Sequence, residues 1–96
     1  MKLLLITYYE AIEEEVMEVL SQAGVETYTK WTQVMGKGRA SGPHFMSHVW
    51  PKGNNVLAVA VEDAEAEKIM VGVRALHGRL GKEGVKAFLL PLEEMT

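Results

Sequence analysis

Apolar residues along this chain fall into six segments whose spacing predicts secondary structure. Four segments are short and rich in aliphatic, β-branched and aromatic residues, which is typical of β-strands. Two others repeat apolar residues every three or four positions, which predicts amphipathic helices; Gly24 ends the first helix, and Asp63 is the expected N-cap of the second. In chain order, the sequence predicts a strand at 2–9, a helix at 11–23, strands at 25–35 and 55–62, a helix at 64–80 and a strand at 85–92.

The order β-α-β-β-α-β predicts an α+β fold of the ferredoxin-like type. In this arrangement a four-stranded antiparallel sheet carries both helices on one face. At 96 residues, the chain is the size of one domain, so we predict a single domain over 1–96. Pro91 cannot donate to a sheet, so the end of the last strand is expected at an edge or beyond the ladder.

The predicted strands do not alternate between apolar and polar residues. Strands covered on one face should alternate, yet Leu3–Ile6, Val56–Val61 and Ala87–Leu90 are continuously apolar. Both faces of the sheet are therefore apolar, while the fold supplies helices for only one of them. We expect a second copy of the chain to cover the other face, which predicts a homo-oligomer; the alternative is a monomer with an exposed apolar face.

Composition narrows the possible functions. The net charge of −3 and the pI of about 5.6 give no electrostatic support for a nucleic-acid partner. The absence of cysteine excludes disulfides, thiolate zinc sites and a cysteine nucleophile. The sequence contains neither a signal peptide nor an apolar run long enough to span a bilayer, so we expect a cytoplasmic protein. No set of nucleophile, base and orienting residue is visible, so we predict no enzymatic activity.

The connection 36–54 is long for a small domain and contains four glycines and two prolines. It opens with Gly36, Lys37, Gly38 and Arg39, in which accessible backbone N–H groups lie beside two cations. Such a segment can bind phosphate or carboxylate oxygens. The alternative is a flexible turn with solvated cations.

A second group of glycines and cations follows the second predicted helix. Gly78, Gly81 and Gly84 alternate there with Arg79, Lys82 and Lys86. Glycines also end helices, and cations favour a last helical turn, so helix termination alone could account for this composition. Neither glycine group has the spacing of a P-loop.

Two histidines of the long connection suggest a different chemistry. His44 and His48 lie four positions apart, with Met46 between them. Imidazole groups bind Cu, Zn and Ni, and a thioether suits Cu(I). These residues could hold a transition metal, or they could be ordinary loop residues.

Several segments together resemble the PII signalling proteins (nitrogen regulatory protein PII superfamily). The sequence VMGKGRASG at 34–42 resembles the segment that leads into their T-loop, so the connection 36–54 corresponds to the T-loop. The opening MKLLLITYY resembles their first strand, and Gly78-x-x-Gly81 falls where these proteins have the B-loop. The resemblance implies a homotrimer that binds ATP or ADP in clefts between subunits and signals to a partner protein through the loop.

The resemblance also implies a set of binding residues. Gly36, Gly38 and Arg39 would line the cleft from the loop base, while Gly78, Gly81 and Lys86 would approach the phosphates from the neighbouring subunit. The segment containing His44 and His48 is also similar to a divergent PII-like group associated with heavy-metal efflux, which implies a membrane transporter as the partner. The alternative function is a metal-responsive protein of CutA-like architecture that uses His44 and His48.

Overall fold

The computed structural model describes residues 1–38, 42–44, 53–80 and 84–96. Its helices and strands follow the predicted order, with a short 3-10 turn at Glu10–Ile12 between the first strand and the first helix. The strands are β1 (Lys2–Tyr9), β2 (Thr29–Val34), β3 (Gly36–Gly38), β4 (Gly42–His44), β5 (Asn54–Val61) and β6 (Val85–Pro91), and the helices are α1 (Glu13–Gln22) and α2 (Asp63–Leu80).

Four strands form one antiparallel sheet in the order β2-β5-β1-β6. This arrangement confirms the ferredoxin-like α+β fold that the order of elements predicts. Strand β6 is an edge strand, and its last residue, Pro91, lies opposite Lys2 of β1. The proline therefore stands at the sheet edge, as expected from its missing N–H.

The first helix ends in a Schellman motif, which explains why β2 begins later than predicted. Gly24 has a φ of 77°, and its N–H bonds to the carbonyl of Ser21 while the N–H of Val25 bonds to that of Leu20. These are the two bonds of that helix ending. The backbone N–H of Val25 is therefore used to end α1. The strand that the sequence predicts from residue 25 joins the sheet only at Thr29.

The long connection contains a small hairpin that the sequence pattern did not predict. Strands β3 and β4 pair antiparallel, with Gly36 opposite His44 and Gly38 opposite Gly42. The start of α2 also differs by one residue, because Asp63 is its first helical residue rather than its cap. Glu65 instead reaches back, and its carboxylate accepts the N–H of Glu62 at 3.0 Å, which is the side-chain half of a capping box.

Both helices pack on one face of the sheet and enclose the core. The core consists of inward-facing strand residues and the apolar stripes of the helices. Its largest fully buried side chains are Tyr8, Leu4, Ile6, Leu20, Leu57, Ile69, Val16, Val59 and Val85.

The opposite face of the sheet, here called the outer face, is apolar and has no cover within the described part of the protomer. In the centre of this face Leu5 lies between Ala58 of β5 and Phe88 of β6. Phe88 is 49% exposed and Trp31, nearer the β2 edge, is 50% exposed. The continuous apolar runs in the sequence therefore supply both the core and the outer face.

The two helices touch at Gly72, and a side chain there would disrupt their packing. A Cβ on Gly72 would lie 2.6 Å from Cγ1 of Val19 on α1, and a β-branched residue in a helix has little freedom to rotate away. We expect Gly72→Ala to lower the free energy of unfolding by about 1–3 kcal/mol, measured by urea denaturation. In the matched control Gly78→Ala nothing lies within 4 Å of the new Cβ, so helix propensity should raise stability by up to about 1 kcal/mol. Equal stabilisation by both substitutions would contradict this packing.

Candidate functional site

Four strand ends meet at one end of the sheet, here called the loop end. Strands β1 and β2 finish there, while β5 and β6 begin there. Two backbone bonds from the end of β1 fix the adjoining segments: Tyr9 N–H donates to Gly84 O at 2.9 Å, and Glu10 N–H donates to Gly53 O at 3.0 Å. Gly53 and Gly84, the described residues that lead from the two glycine-rich connections into β5 and β6, are thus fixed at the loop end.

The structure places part of the predicted binding set at this end. Gly36 and Gly38 form the first strand of the hairpin that follows β2. Gly78 lies near the end of α2, where a Cβ would have open space around it. Lys86 is exposed on β6, opposite Thr7 of β1.

Three residues of the predicted sets, Arg39, Gly81 and His48, lie outside the described residues. His44 belongs to β4, opposite Gly36. Among the described residues no group of three or more His, Asp or Glu side chains converges as a metal site would. Metal binding through His44 and His48 stays a prediction.

Within one protomer, the described residues of the two predicted halves of the nucleotide site stay apart. Gly36 follows β2 and Lys86 lies on β6, and these strands are the opposite edges of the sheet. Neighbouring strands are about 4.8 Å apart, so the two edges are separated by about 14 Å. Both halves lie at the loop end, but a single copy of the chain does not bring them together.

A hydrogen-bonded cluster that the sequence pattern did not predict, here called the Glu13 network, lies on the helix-covered face at the loop end. The carboxylate of Glu13, the first residue of α1, accepts hydrogen bonds from Tyr8 Oη and Lys30 Nζ, and from Asn55 Nδ2 at 3.2 Å. The donors come from β1, β2 and β5 respectively. Asn55 Oδ1 in turn accepts the backbone N–H of Gln33 at 3.2 Å.

Burial and charge fix the protonation states in this network. Tyr8 is 1% exposed and Asn55 is 4% exposed. Burial and the bond to Glu13 raise the pKa of Tyr8 above its ordinary value of 10, so its hydroxyl remains a donor. Burial opposes ionisation of Glu13, but hydrogen bonds from Lys30, Tyr8 and Asn55 outweigh it and lower the carboxyl pKa. Glu13 is therefore an acceptor with a negative charge at neutral pH.

The network differs from what the local sequence suggested. Glu13 begins a run of three glutamates that is typical of a solvated helix end, and Asn54–Asn55 is typical of a turn into the strand predicted from residue 55. The structure instead puts Glu13 against the sheet and both asparagines in β5. A tyrosine at the last inward position of β1, shortly before an acidic helix start, was the local signal that could have indicated the network.

The lowered pKa of Glu13 predicts a specific pH dependence of stability. The stabilisation from its ionised form is complete above the unfolded-state pKa, near 4.5, and is lost as the pH falls towards the lower folded-state pKa. We expect Glu13→Gln to lower the free energy of unfolding by about 1–2 kcal/mol at pH 7, and the difference from wild type to shrink below pH 4.5. Urea denaturation at pH 7 and pH 3.5 measures this, with Glu14→Gln, at an exposed position, as the control. A difference that stays constant with pH would contradict the assignment.

A groove between α1 and α2 contains none of the predicted binding residues. Its volume is about 440 Å³, and its walls carry Glu14, Glu15 and Glu18 against the single cation Arg79. This excess of negative charge repels phosphate, so the groove is not the predicted nucleotide site.

No helix in the described part of the chain is long and apolar enough to cross a membrane. The sequence model of the family described as Nitrogen regulatory protein P-II matches residues 1–96. No curated protein matches the chain in sequence.

Solved structures with the same fold include CPII, a nitrogen regulatory PII-like protein from Thiomonas intermedia K12. Its complex with ADP, AMP and bicarbonate has a TM-score of 0.77 and 21% identity, over 92% of this chain and 81% of that one. Its complex with ADP, AMP and acetate has a TM-score of 0.76 and 19% identity, over 99% and 88% of the two chains. A Thermus thermophilus protein described as a putative PII-like signaling protein has a TM-score of 0.62 and 19% identity, over 92% and 81%. At these identities the likeness establishes the fold alone.

Proposed function

The chain belongs to the nitrogen regulatory protein P-II family, and from this membership we propose that it is a trimeric signalling protein rather than an enzyme. In the proposal, an adenine nucleotide binds between neighbouring subunits in the cytoplasm. The connection 36–54 then signals to a partner protein whether the nucleotide site is occupied. A membrane transporter is the partner class that the resemblance of this connection favours.

One observation carries the proposal: the two halves of the predicted site lie at the same end of the sheet but on opposite edges. A site that combines Gly36 with Lys86 needs the β2 edge of one protomer and the β6 edge of another. A closed ring of identical subunits brings unlike edges together at every interface. Each interface would then carry one complete site.

The apolar outer face supports the same assembly. The side of the sheet without helices presents aliphatic and aromatic side chains, namely those of Leu3, Leu5, Val56, Ala58 and Phe88. A contiguous apolar patch of this kind in water marks a protein–protein contact. Packing these faces around an axis removes them from solvent and sets neighbouring β2 and β6 edges side by side.

The chemistry at the two edges fits an anionic nucleotide. Gly36 and Gly38 allow a phosphate to approach the backbone closely, and the exposed ammonium of Lys86 supplies a positive charge. Gly78 has open space where a side chain would stand, so its backbone is also accessible to a ligand. Signalling requires that the nucleotide bind two states of the connection 36–54 with different affinity.

Isothermal titration calorimetry tests the proposal on the full chain. We expect ADP or ATP to bind with a dissociation constant in the micromolar to sub-millimolar range, and we expect GDP at the same concentrations to bind more weakly. AMP is also titrated with and without bicarbonate, because the structural neighbour CPII is described as bound to ADP, AMP and bicarbonate. This experiment shows whether the present chain binds the same ligands. The absence of heat with any adenine nucleotide at millimolar concentration would overturn the nucleotide proposal.

A further inference from the structure

The Glu13 network reaches the base of the connection 36–54 through one buried amide. Asn55 donates from Nδ2 to Glu13 and accepts on Oδ1 from Gln33 N–H, both at 3.2 Å. A side chain that donates at one end and accepts at the other is required here, which an aspartate or an aliphatic residue could not provide. Asn55 therefore joins the start of α1 to the backbone of β2.

The bond from Gln33 to Asn55 lies at an irregular point of the sheet. Pairing between β2 and β5 shifts register between Trp31 and Val34, and Gln33 has a φ of 57°. Residues other than glycine avoid this left-handed conformation unless the surroundings impose it. The hydrogen bond to Asn55 is made at this left-handed residue, and the bulge sets the direction in which the chain leaves β2.

The neighbouring residue of β5 fixes the next step of the chain. A Cβ on Gly36 would lie 3.0 Å from Nδ2 of Asn54, so the backbone of β3 runs close against that side chain. Asn54 and Asn55 are consecutive: Asn55 bonds to the bulge at Gln33, and Asn54 lies against the backbone of Gly36. The position of the hairpin base thus depends on β5 and, through Asn55, on Glu13.

Lys30 strengthens the same arrangement from β2. Its ammonium contacts the Glu13 carboxylate and also lies 5.6 Å from the centroid of the Tyr28 ring, within the range of a cation–π interaction. Glu13 therefore binds side chains from the three strands that surround the loop base, and every one of these groups belongs to the protomer's own helix-covered face.

We propose that Glu13 and Asn55 are positioning residues for the nucleotide site, because they hold the bulge at Gln33 and so preset the path of Gly36 and Gly38. This inference rests on the proposed nucleotide binding. It means that nucleotide affinity depends on a group of side chains on the helix-covered face, outside the proposed interface between subunits. With the network intact, the loop base meets the phosphates without further ordering. Without the network, nucleotide binding must also order the segment containing Gly36 and Gly38. This ordering costs free energy, so the affinity for the nucleotide falls.

The test compares the full-length Asn55→Ala variant with Val73→Ala. The control truncates a core residue of α2 that is 5% exposed and has no part in the network. Both variants are expected to be less stable than wild type. At a temperature where both remain folded, we expect Asn55→Ala to weaken ADP binding about tenfold, while Val73→Ala stays within twofold of wild type.

Amide hydrogen exchange separates positioning from general destabilisation. We expect exchange in Asn55→Ala to accelerate selectively over residues 33–38, with α2 unchanged, whereas Val73→Ala should accelerate exchange in α2 and leave 33–38 protected. Glu13→Gln, which keeps an acceptor oxygen, should bind ADP more tightly than Glu13→Ala. If Asn55→Ala does not fold, Glu13→Ala, which removes the acceptor for Asn55 Nδ2, takes its place in the same comparison.

Two negative results are distinguishable. If wild type binds ADP and the network variants bind it as tightly as Val73→Ala does, the positioning inference is wrong while nucleotide binding stands. If wild type binds no adenine nucleotide, the proposed function fails and the positioning inference fails with it.

Discussion

Replacing Leu5 by aspartate is expected to dissociate the proposed trimer and abolish the proposed nucleotide binding. Leu5 occupies the middle of the outer face, between Ala58 and Phe88, and every copy of the chain in the proposed trimer would bury it. An unpaired carboxylate there costs several kcal/mol per subunit in the assembled state. Because the proposed site needs two protomers, the loss of assembly would remove the site as well.

Analytical ultracentrifugation measures this effect. Wild type should sediment as three protomers of 10.7 kDa each, about 32 kDa in all for a closed ring of three, and Leu5→Asp as a single protomer. Val71→Asp is the matched control, since Val71 is 57% exposed on α2, away from the outer face, and should remain a trimer. A folded wild-type monomer at micromolar concentration would refute both the assembly and the shared site.

Replacing Lys86 by alanine is expected to weaken ADP binding by about 10- to 100-fold without changing the oligomer. A hydrogen bond to a charged group is worth about 1.5–3 kcal/mol, and each 1.4 kcal/mol corresponds to about tenfold in affinity. Lys68→Ala removes the same charge from an exposed position on α2 and should leave affinity within about twofold. Calorimetry at constant ionic strength compares the two, and equal affinities would exclude Lys86 from the site.

Mixed oligomers test whether the site is shared. Lys86→Ala and Gly38→Asp impair opposite edges, so in each variant alone every site should bind ADP more weakly than a wild-type site. When the two are coexpressed and assemble at random, about a quarter of the interfaces should join two intact edges and bind ADP. Complete absence of binding in the mixture, with both variants assembled, would mean that the two edges do not form one site.

The order and type of the main elements follow from local pattern because each depends on near neighbours in the sequence. Short runs of aliphatic, β-branched and aromatic residues predicted β1, β5 and β6, and apolar residues every three or four positions predicted both helices. Gly24 correctly ended α1. The pairing of β3 with β4 had no such pattern, since Gly36–Gly38 and Gly42–His44 contain almost no apolar residues. The hairpin is recognised by its backbone pairing, and the apolar pattern that sets strand register is missing from its sequence.

The chain's own residues specified a two-layer α+β domain, an apolar second face on the sheet and two cationic glycine segments, because spacing and composition are local properties. The fold alone brought Glu13 together with partners 5, 17 and 42 positions away in the chain and put Gly36 and Lys86 on opposite edges of the sheet. Such distant pairs leave no periodic pattern in a single sequence. They arise when strands that are far apart along the chain pair side by side.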